Sequence, residues 1–370
     1  MPYPKQVTLD QIVLAAGAGS FLFSLLLTPV VRAFARSKGF VDEPGPRKIH
    51  QWPVALGGGV AIFGAVFIPL ALALAVPVLA PGLVKSVAPG LAEHLDGAKD
   101  VAPRALAYLC GALVLFVLGL VDDAKGLGPK VKLQVQAAVG LGLAASGIRL
   151  STFLDGYGFA GHALQYAATV AWFVVVTNAF NLLDNMDGLA AGVAAVAAAA
   201  FGVIALATGQ LFIAFALFTL LGGTLGFLAY NRPPATVFMG DAGSLTLGYH
   251  LAVLTILFTF YDGMHPLSVY FVPLLVLAVP FYDTASVIFI RLRSGKPIMV
   301  GDTNHFSHRL VALGLSRAAA VGLIVLLTCV TGIAAVLMYR TDVAGSVLVF
   351  SQTLLVLIVV AVLEIAGRRK

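Results

Sequence analysis

The sequence is poor in charge, because only 11% of its 370 residues are Asp, Glu, Lys or Arg. Soluble domains carry about 25% charged residues, so this scarcity excludes an ordinary soluble fold. Hydrophobic residues make up 60% of the chain, and the mean hydropathy is +0.98. We therefore expect an integral membrane protein. No polar stretch is long enough for a separate soluble domain, so residues 1–370 are interpreted as one membrane-embedded domain.

Cysteine is also scarce. Cys110 and Cys329 both fall in apolar runs, which indicates small buried side chains and excludes a disulfide framework or a cysteine metal site. The net charge of +6 is not arranged as a basic stripe or a nucleic-acid-binding motif. We therefore expect no nucleic-acid partner.

Long apolar runs, in contrast, are abundant. A hydrocarbon layer about 30 Å thick needs roughly 20 residues per helix. Runs of this kind lie near residues 9–34, 54–81, 104–121, 131–149, 164–183, 188–207, 210–229, 244–261, 266–290, 318–338 and 344–366. The predicted fold class is an all-α, polytopic transmembrane helical bundle with about eleven transmembrane helices. The first run is longer than the apolar part of a signal peptide, so we do not expect it to be cleaved.

The basic residues predict the orientation. An N-terminus on the outside places 17 of the 23 Lys and Arg residues on the inner side and six on the outer side. The positive-inside rule favours this arrangement, with a cytoplasmic C-terminus. The cationic inner face would meet anionic membrane lipid or a substrate that carries phosphate.

In this topology the acidic residues collect at the inner ends of the spans. The set comprises Asp122, Asp123, Asp184, Asp187, Asp241, Asp283 and Asp302. A carboxylate at membrane depth costs several kcal/mol unless it is paired, hydrated or bound to metal, so such a cluster indicates a functional site. The competing interpretation, that each is an interfacial residue at a helix end, fits single members better than the whole set.

The first acidic motif is "GLVDDAKGLGPKVKLQVQ". Asp122 and Asp123 end the third span, and Lys125, Lys130 and Lys132 follow within ten residues. Adjacent carboxylates do not share a helix face, so the two aspartates are expected to have different roles. The lysines suit a phosphate as compact point charges, or act only as topology signals.

The second motif is "NAFNLLDNMDGLAAG". Asn178, Asn181, Asp184 and Asp187 are spaced by three residues, which predicts a slowly drifting polar stripe at a helix end. The stripe would offer amide donors and carboxylate acceptors to a polar ligand. The alternative is hydrogen bonding between helices in the core.

The third motif is "NRPPATVFMGDAGSLTLG". Asp241 lies among small residues at the start of a span, where backbone approaches a ligand closely and N–H groups favour anions. An ordinary helix N-cap is the alternative.

The fourth motif is "RLRSGKPIMVGDTNHFSHRLVALGLSR", on an inner loop. His305 and His308 are one helical turn apart and precede Arg309. They are poor zinc ligands, since no Cys and no His-Glu-X-X-His pattern accompanies them. Phosphate binding is the preferred interpretation.

Together, an acidic cluster beside basic residues indicates a hard divalent metal and phosphate. Mg²⁺ uses one or two carboxylates and completes its shell with water and phosphate oxygens. A site that opens at the inner membrane face suits a soluble diphosphate donor and a lipid-borne acceptor.

The motifs "RKIHQWPVALGGG", "DDAKGLGPKVKLQVQ", "NAFNLLDNMDGLAAG", "VFMGDAGS" and "DTNHFSHRL" occur in this order between about residues 28 and 317. The chain in this respect resembles the polyprenyl-phosphate N-acetylhexosamine-1-phosphate transferases of glycosyltransferase family 4. The resemblance implies a bacterial multi-pass inner-membrane enzyme that uses Mg²⁺, with Mn²⁺ as a substitute. It would transfer a sugar 1-phosphate from a UDP-sugar to polyprenyl (undecaprenyl) phosphate and release UMP, at the first membrane step of cell-envelope polysaccharide synthesis. It also leads us to expect a homodimer.

The resemblance also implies roles for individual residues. The implied catalytic residues are Asp122, Asp123, Asp241, His305 and His308. The implied substrate-binding residues are Lys48, Lys132, Asn181, Asp184, Asp187, Asn231, Phe238 and Arg309, with Phe238 stacked on uracil. The implied metal ligands are Asp241 and Asp187. Because a phosphate monoester is mostly dianionic at neutral pH, we expect Asp122 or Asp123 to orient the acceptor, with proton abstraction as the alternative.

The sequence departs from the family in the histidine loop. Relatives in the N-acetylglucosamine branch often have His-X-His-His, whereas here Ser307 replaces the central His. The triple-His segment of phospho-N-acetylmuramoyl-pentapeptide transferases is absent. We therefore favour N-acetylglucosamine 1-phosphate as the transferred group, with the pentapeptide transferase as the alternative. The altered histidine loop is the one feature that keeps an inactive homologue as an alternative.

A secondary transporter is the alternative from another class, because intramembrane carboxylates also form ion relays. It predicts acidic residues near the midplane and repeat symmetry. The acidic residues of this sequence instead gather at one side, which favours the transferase.

Overall fold

The computed structural model describes residues 8–44, 52–87, 89–90, 95–150, 157–260, 267–300 and 302–367. Lys48, expected to bind substrate, lies outside the described residues. The fold is almost wholly helical, as expected. Its principal helices are α1 (Leu9–Ser37), α2 (Gly58–Leu79), α3 (Pro81–Val87), α4 (Leu95–Lys125), α5 (Pro129–Ala145), α6 (Gly158–Leu183), α7 (Leu189–Ala207), α8 (Leu211–Asn231), α9 (Gly240–Leu257), α10 (Val272–Val276), α11 (Ala278–Arg293), α12 (Phe306–Ala312), α13 (Arg317–Met338) and α14 (Val343–Gly367).

Within the described ranges, eight helices are long and apolar enough to cross a membrane, or nine if one bent pair counts as a span. The bent pair joins a 3-10 helix and α10, Leu267–Val276, to α11 at an angle of 68°. The sequence predicted a single run there. Two other predicted spans form helices that are not among these candidates: α5 has 17 residues, and α9 carries Asp241, Ser244 and His250. The polytopic membrane fold is therefore confirmed in its coarse form.

Helix α9 lies at the centre of the bundle and contacts α2, α4, α6, α7 and α8. Its residues from Ala242 to Ile256 are all buried. Glycines on its neighbours let the backbones approach closely: a Cβ on Gly119 of α4 would lie 2.4 Å from the Ala242 Cα, and one on Gly59 of α2 would lie 2.3 Å from the Gly243 nitrogen. Small residues at such positions are how membrane helices pack. They fix the start of α9, and Asp241 with it, between α2 and α4.

Within the described residues, a short strand pair is the one feature outside the all-α expectation. Strands β1 (Val41–Asp42) and β2 (Val54–Ala55) pair antiparallel, and Ala55 bridges to Val237 in parallel. The Phe238 N–H donates to the Ala55 carbonyl at 2.9 Å, and the Gly58 N–H donates to the Phe238 carbonyl at 2.9 Å. The strand pair thereby holds the chain just before α9.

Cys110 and Cys329 are free thiols, as expected, but Cys110 is exposed rather than buried.

Candidate active site

A cavity of about 1590 Å³ lies at the end of the bundle where α9 begins. Residues from all four predicted motifs reach it, so the structure brings together segments that lie more than 100 residues apart. Its charged, polar and aromatic lining comprises Arg36, Asp42, Trp52, Asp123, Asp184, Asn185, Asp187, Asn231, Thr236, Phe238, Asp241, Lys296, Asp302, Thr303, His308 and Arg317. Helices α1, α4, α6 and α11 end at this cavity, and α9 and α13 begin there.

On one side of the cavity, Lys132 of α5 bridges two carboxylates. Its Nζ lies 2.6 Å from Asp122 Oδ2 and 2.6 Å from Asp241 Oδ2. The other Asp122 oxygen accepts the Leu127 N–H at 2.5 Å. Asp122 is therefore already bonded through both oxygens, and Lys132 links it to the residue expected to hold metal.

The neighbouring Asp123 caps α9. Its two carboxylate oxygens accept the backbone N–H groups of Asp241, at 2.7 Å, and of Ala242, at 3.1 Å. These are orphan donors of the first helical turn, and an anion is favoured there. Gly240 makes the contact feasible: its φ is +66°, and a Cβ at this position would lie 2.4 Å from Asp123 Oδ2. The adjacent aspartates thus have different partners, as expected.

The predicted polar stripe at the end of α6 divides into two parts. Asn181 Nδ2 donates to Asp241 Oδ1 at 3.0 Å and to Ser244 Oγ at 2.9 Å, so it belongs to the site. Asn178 instead donates to Gln136 Oε1 and, at 2.8 Å, to the Val174 carbonyl. For Asn178, the alternative of hydrogen bonding between helices is the one that the structure supports.

Asp184 and Asp187 follow α6 and line the cavity. The Asp184 carboxylate accepts no hydrogen bond from the described residues, and burial together with the charges of Asp241, Asp123 and Asp187 raises the pKa of this carboxyl well above the usual value. Asp187 Oδ2 accepts the Ala235 N–H at 2.9 Å. Asp122, Asp123, Asp184, Asp187 and Asp241 are called the acidic wall below.

The acidic wall has more carboxylates than a metal ion needs, but its described residues form no preformed metal cage. Among the described residues, no three His, Cys, Asp or Glu side chains form a ready cage. Mg²⁺ needs only one or two protein carboxylates when phosphate completes its shell, however. The wall holds five carboxylates, and Lys132 is the only cation paired with them in the described part of the chain. The excess of carboxylate oxygen and the unpaired Asp184 therefore fit a hard divalent cation.

The opposite side of the cavity is built from the histidine loop. His305 Nδ1 lies 2.9 Å from Asp283 Oδ2, and Asp283 Oδ1 accepts the Phe306 N–H at 2.5 Å. His305 is buried and does not line the cavity, so the structure does not bring this predicted catalytic residue to the site. It does bring His308, whose ring centroid is 6.4 Å from that of His305. Burial and the neighbouring His305 lower the pKa of His308.

Arg309, expected to contact phosphate, is also turned away from the cavity. Its guanidinium forms a bidentate pair with Glu364 of α14, at 3.0 Å and 3.2 Å, and is buried. The physical reason is that a buried guanidinium requires a carboxylate partner, and Glu364 supplies it. The name histidine wall is used below for His308 and for three carboxylates with their partners, namely Asp283 with His305, Asp302 with Arg291, and Glu364 with Arg309. Of these side chains, Asp302 and His308 line the cavity, and the others support them from behind.

Asp302 is paired in the same manner. Its carboxylate accepts from Arg291 Nε at 3.2 Å and from Arg291 Nη2 at 3.1 Å. Although partial burial opposes the effect, hydrogen bonds from Arg291 and Asn304 lower the pKa of Asp302 to about 2. Ser307, which occupies the position of the missing histidine, is buried and donates to Asn185 Oδ1 at 2.5 Å. The replacement therefore joins the histidine loop to the loop that carries Asp184 and Asp187.

Asn231 and Phe238 lie in the cavity wall, as expected. Asn231 is buried: its Oδ1 accepts the Gly188 N–H at 3.0 Å, and its Nδ2 donates to the Val237 carbonyl at 2.9 Å. It fixes the loop before α9 as well as lining the cavity.

Three cations at the cavity were not singled out from the sequence. Arg36, Lys296 and Arg317 come from α1, the loop after α11 and the start of α13, and all three are exposed. Lys296 and Arg317 lie within the fourth motif, at residues 291–317, whereas the signal for Arg36 was only its predicted position on the inner side.

Comparison with known proteins gives a consistent result. The family model described as glycosyl transferase family 4 matches residues 105–259. The chain is 33% identical, over 94% of its length and 90% of the relative's, to a probable undecaprenyl-phosphate N-acetylglucosaminyl 1-phosphate transferase of Bacillus subtilis (strain 168). It is 29% identical to the undecaprenyl-phosphate alpha-N-acetylglucosaminyl 1-phosphate transferase of Escherichia coli (strain K12), over 83% and 78% of the two chains. A phospho-N-acetylmuramoyl-pentapeptide-transferase of Desulforudis audaxviator (strain MP104C) is 35% identical over 66% of this chain and 76% of its own.

Proposed function

This chain belongs to glycosyl transferase family 4, and we propose that it transfers N-acetylglucosamine 1-phosphate from its UDP donor to undecaprenyl phosphate. The products would be undecaprenyl-diphosphate-N-acetylglucosamine and UMP. The observation that carries the proposal is that four carboxylates of the acidic wall line one cavity with His308, Lys296 and Arg317; the four are Asp123, Asp184, Asp187 and Asp241. The names of the relatives from Bacillus subtilis and Escherichia coli support the same donor and acceptor.

The size of the cavity suits two substrates. Pockets for single small molecules measure about 300–1,000 Å³, whereas this one measures about 1590 Å³. A nucleotide-sugar and the phosphate end of a prenyl lipid would therefore fit together. Phe238 offers an aromatic face for the base.

We assign Asp241 and Asp187 as ligands of the Mg²⁺ ion that the acidic wall fits, with Mn²⁺ as a substitute. When bound, the ion would supply charge neutralisation at the diphosphate. Lys132 and Asn181 hold the Asp241 carboxylate from two directions, so its position is set before any ligand binds. Preorganised groups of this kind avoid reorganisation during the reaction.

In the proposed reaction an oxygen of undecaprenyl phosphate attacks the β-phosphorus of the UDP-sugar, and the bond to the UMP oxygen breaks. The acceptor phosphate has a second pKa near 6, so it arrives mostly deprotonated at neutral pH. Asp122 and Asp123 are engaged with Lys132 and with backbone N–H groups, which favours an orienting role over proton abstraction. Arg36, Lys296 and Arg317 would neutralise the phosphates of the approaching substrates, and His308 would donate a hydrogen bond to them.

We further propose eleven spans, an outer N-terminus and a cytoplasmic C-terminus, in a bacterial inner membrane. The cavity lies at the helix ends that the basic residues predict to be inside. One domain over residues 1–370 and a homodimer stay predictions. A glycosylation-reporter scan of the loops would test the orientation.

The pentapeptide transferase is the second candidate, favoured by the Desulforudis audaxviator relative. The transporter alternative is less well supported, since a second cavity of about 980 Å³ at the opposite end of the bundle has Arg104 as its only charged lining residue in the described part of the chain. A relay would need acidic groups along the path between the two ends.

The proposal is tested with purified protein in detergent, Mg²⁺, undecaprenyl phosphate and a panel of UDP-sugars that includes UDP-N-acetylglucosamine and UDP-N-acetylmuramoyl-pentapeptide. We expect UMP and one N-acetylglucosamine-diphospholipid, identified by mass. Asp241→Asn is the matched control and should release almost no UMP. Release only with the pentapeptide donor would favour the second candidate, and no release from folded protein with any donor would contradict transfer.

A further inference from the structure

Helix α14 is the most peripheral helix of the described bundle. It packs against α13 and the 3-10 helix Leu267–Phe271, and most of its apolar side chains are exposed toward the surroundings. The polar residues that it buries are Ser346, Thr353 and Glu364. A buried acid near the end of such a helix needs a reason, because a carboxylate at membrane depth is costly unless it is paired.

Both carboxylate oxygens of Glu364 accept hydrogen bonds, from Arg309 of the histidine wall and from Tyr282 of α11. Oε1 accepts from Arg309 Nε at 3.0 Å, and Oε2 accepts from Arg309 Nη2 at 3.2 Å and from the Tyr282 hydroxyl at 2.7 Å. Bidentate guanidinium–carboxylate pairs fix direction as well as charge.

Arg309 transmits this restraint to the histidine loop. Its Nη1 donates to the Asn304 carbonyl at 2.5 Å, and its Nη2 donates to Ser286 Oγ at 2.8 Å. The guanidinium also lies over the Phe306 ring at 5.7 Å and the Tyr282 ring at 5.9 Å. One side chain therefore ties the turn before α12 to α12 itself and to α11.

The segment held in this way presents His308 to the cavity. We propose that Glu364 is a positioning residue for His308, acting through Arg309, in the phosphotransfer reaction proposed above. Glu364 does not line the cavity, so it contacts no substrate. Without its carboxylate, Arg309 would be left as a buried unpaired cation and would turn toward water or the cavity. The turn at Asn304 and the first residues of α12 would then lose their common anchor.

The activity test is a double-mutant cycle. Glu364→Gln is expected to lower kcat/KM about tenfold, mainly through a higher KM for the UDP donor, because His308 would then be misplaced for phosphate binding. Adding His308→Gln should cost little more, since the contact is already lost. Thr353→Ala is the matched control on the same helix. Among the described residues, the Thr353 hydroxyl donates only to the Val349 carbonyl of α14. The effect of Thr353→Ala on kcat/KM should therefore be small and additive with that of His308→Gln. Additive losses for Glu364→Gln and His308→Gln would overturn the proposal.

A second measurement does not depend on activity. Ser307 is buried in the wild-type loop, so a Ser307→Cys variant in a Cys110→Ala, Cys329→Ala background should react slowly with a soluble maleimide. Glu364→Gln should accelerate labelling about tenfold or more, and Thr353→Ala should not; equal labelling rates would overturn the proposal. If wild-type protein transferred no sugar phosphate while the labelling difference was present, the proposed function would fail and the anchoring of the loop would stand.

Discussion

The two walls of the cavity both contain carboxylates but pair them differently. On the histidine wall each carboxylate has a basic partner of its own: Asp283 with His305, Asp302 with Arg291, and Glu364 with Arg309. On the acidic wall Lys132 pairs with Asp122 and Asp241, and the Asp184 carboxylate accepts no hydrogen bond from the described residues. One wall pairs each of its carboxylates with a basic side chain, and the other wall does not.

This difference assigns separate tasks to the two walls. A set of close carboxylates is costly unless a further cation neutralises it, so the acidic wall is suited to a divalent metal. On the histidine wall each carboxylate has a partner, and His308 lines the cavity together with Lys296 and Arg317, where these three side chains would meet the phosphates. Removing a charge from the acidic wall should therefore lower kcat far more than removing a charge from the histidine wall.

The largest effect is expected from Asp241→Asn. The substitution keeps the size of the side chain and one of its two acceptor oxygens but removes a charge from the acidic wall, so kcat should fall about a thousandfold. The matched change on the histidine wall, Asp302→Asn, should lower kcat by less than about tenfold. Both are measured as UMP release at saturating Mg²⁺, with the fold checked by thermal melting. Equal losses in the two variants would remove the distinction between the walls.

A second test alters the geometry of the acidic wall and leaves its charge unchanged. In Gly240→Ala the new Cβ would collide with Asp123, and the positive φ would be strained, so Asp241 must shift. This shift of the Asp241 carboxylate should lower kcat about a hundredfold. Gly322→Ala is the control, because its Cβ would meet nothing within 4 Å. An active Gly240→Ala variant would show that the cap by Asp123 does not position Asp241.

On the histidine wall, His308→Gln should raise the KM for the UDP donor about tenfold, the cost of losing one charge-assisted bond to phosphate. Because burial and His305 lower the pKa of His308, the imidazole gains its proton only at a pH below the usual range of a histidine. The wild-type KM should consequently fall as the pH decreases through that lower range, and the variant should lack that change. His162→Gln, at the start of α6, serves as the control. A pH dependence identical in wild type and His308→Gln would exclude His308 from phosphate binding.

The smallest effect concerns the link between the walls. Ser307→Ala removes the bond to Asn185, and we expect a loss of about 1 kcal/mol in stability with a change of only a few-fold in kcat. Thermal melting beside Ser37→Ala, an exposed serine that bonds within α1, measures the difference. A loss of activity as large as that of Asp241→Asn would instead show that Ser307 acts directly at the site.

The sequence predicted the helices well, because apolar runs of sufficient length dictate membrane helices whatever their neighbours are. It did not predict the pairing of β1 with β2 or the bend before α11, since both depend on contacts with distant segments. Asn178 shows a related limit. The three-residue spacing predicted that Asn178 joins Asn181 in the site. The partly buried Asn178 amide instead donates to Gln136 on α5.

The site was predictable where the local sequence itself sets the geometry. Asp122 and Asp123 diverge because they are adjacent, and Asp241 follows a glycine that permits a close cap. Arg309 was expected at the phosphates because it adjoins His308, whereas its partner Glu364 lies 55 residues away and gives no local signal. Partners of this kind become visible only when the helices are packed together.

The central claim, that the acidic wall receives a divalent cation, is tested most directly by metal binding. Mn²⁺ is titrated into detergent-purified wild type, Asp241→Asn and Asp302→Asn, and the free ion is followed by electron paramagnetic resonance. We predict one bound ion in wild type and in Asp302→Asn, and at least tenfold weaker binding in Asp241→Asn. Equal Mn²⁺ affinity in Asp241→Asn and wild type, or a loss of the ion only in Asp302→Asn, would contradict the account.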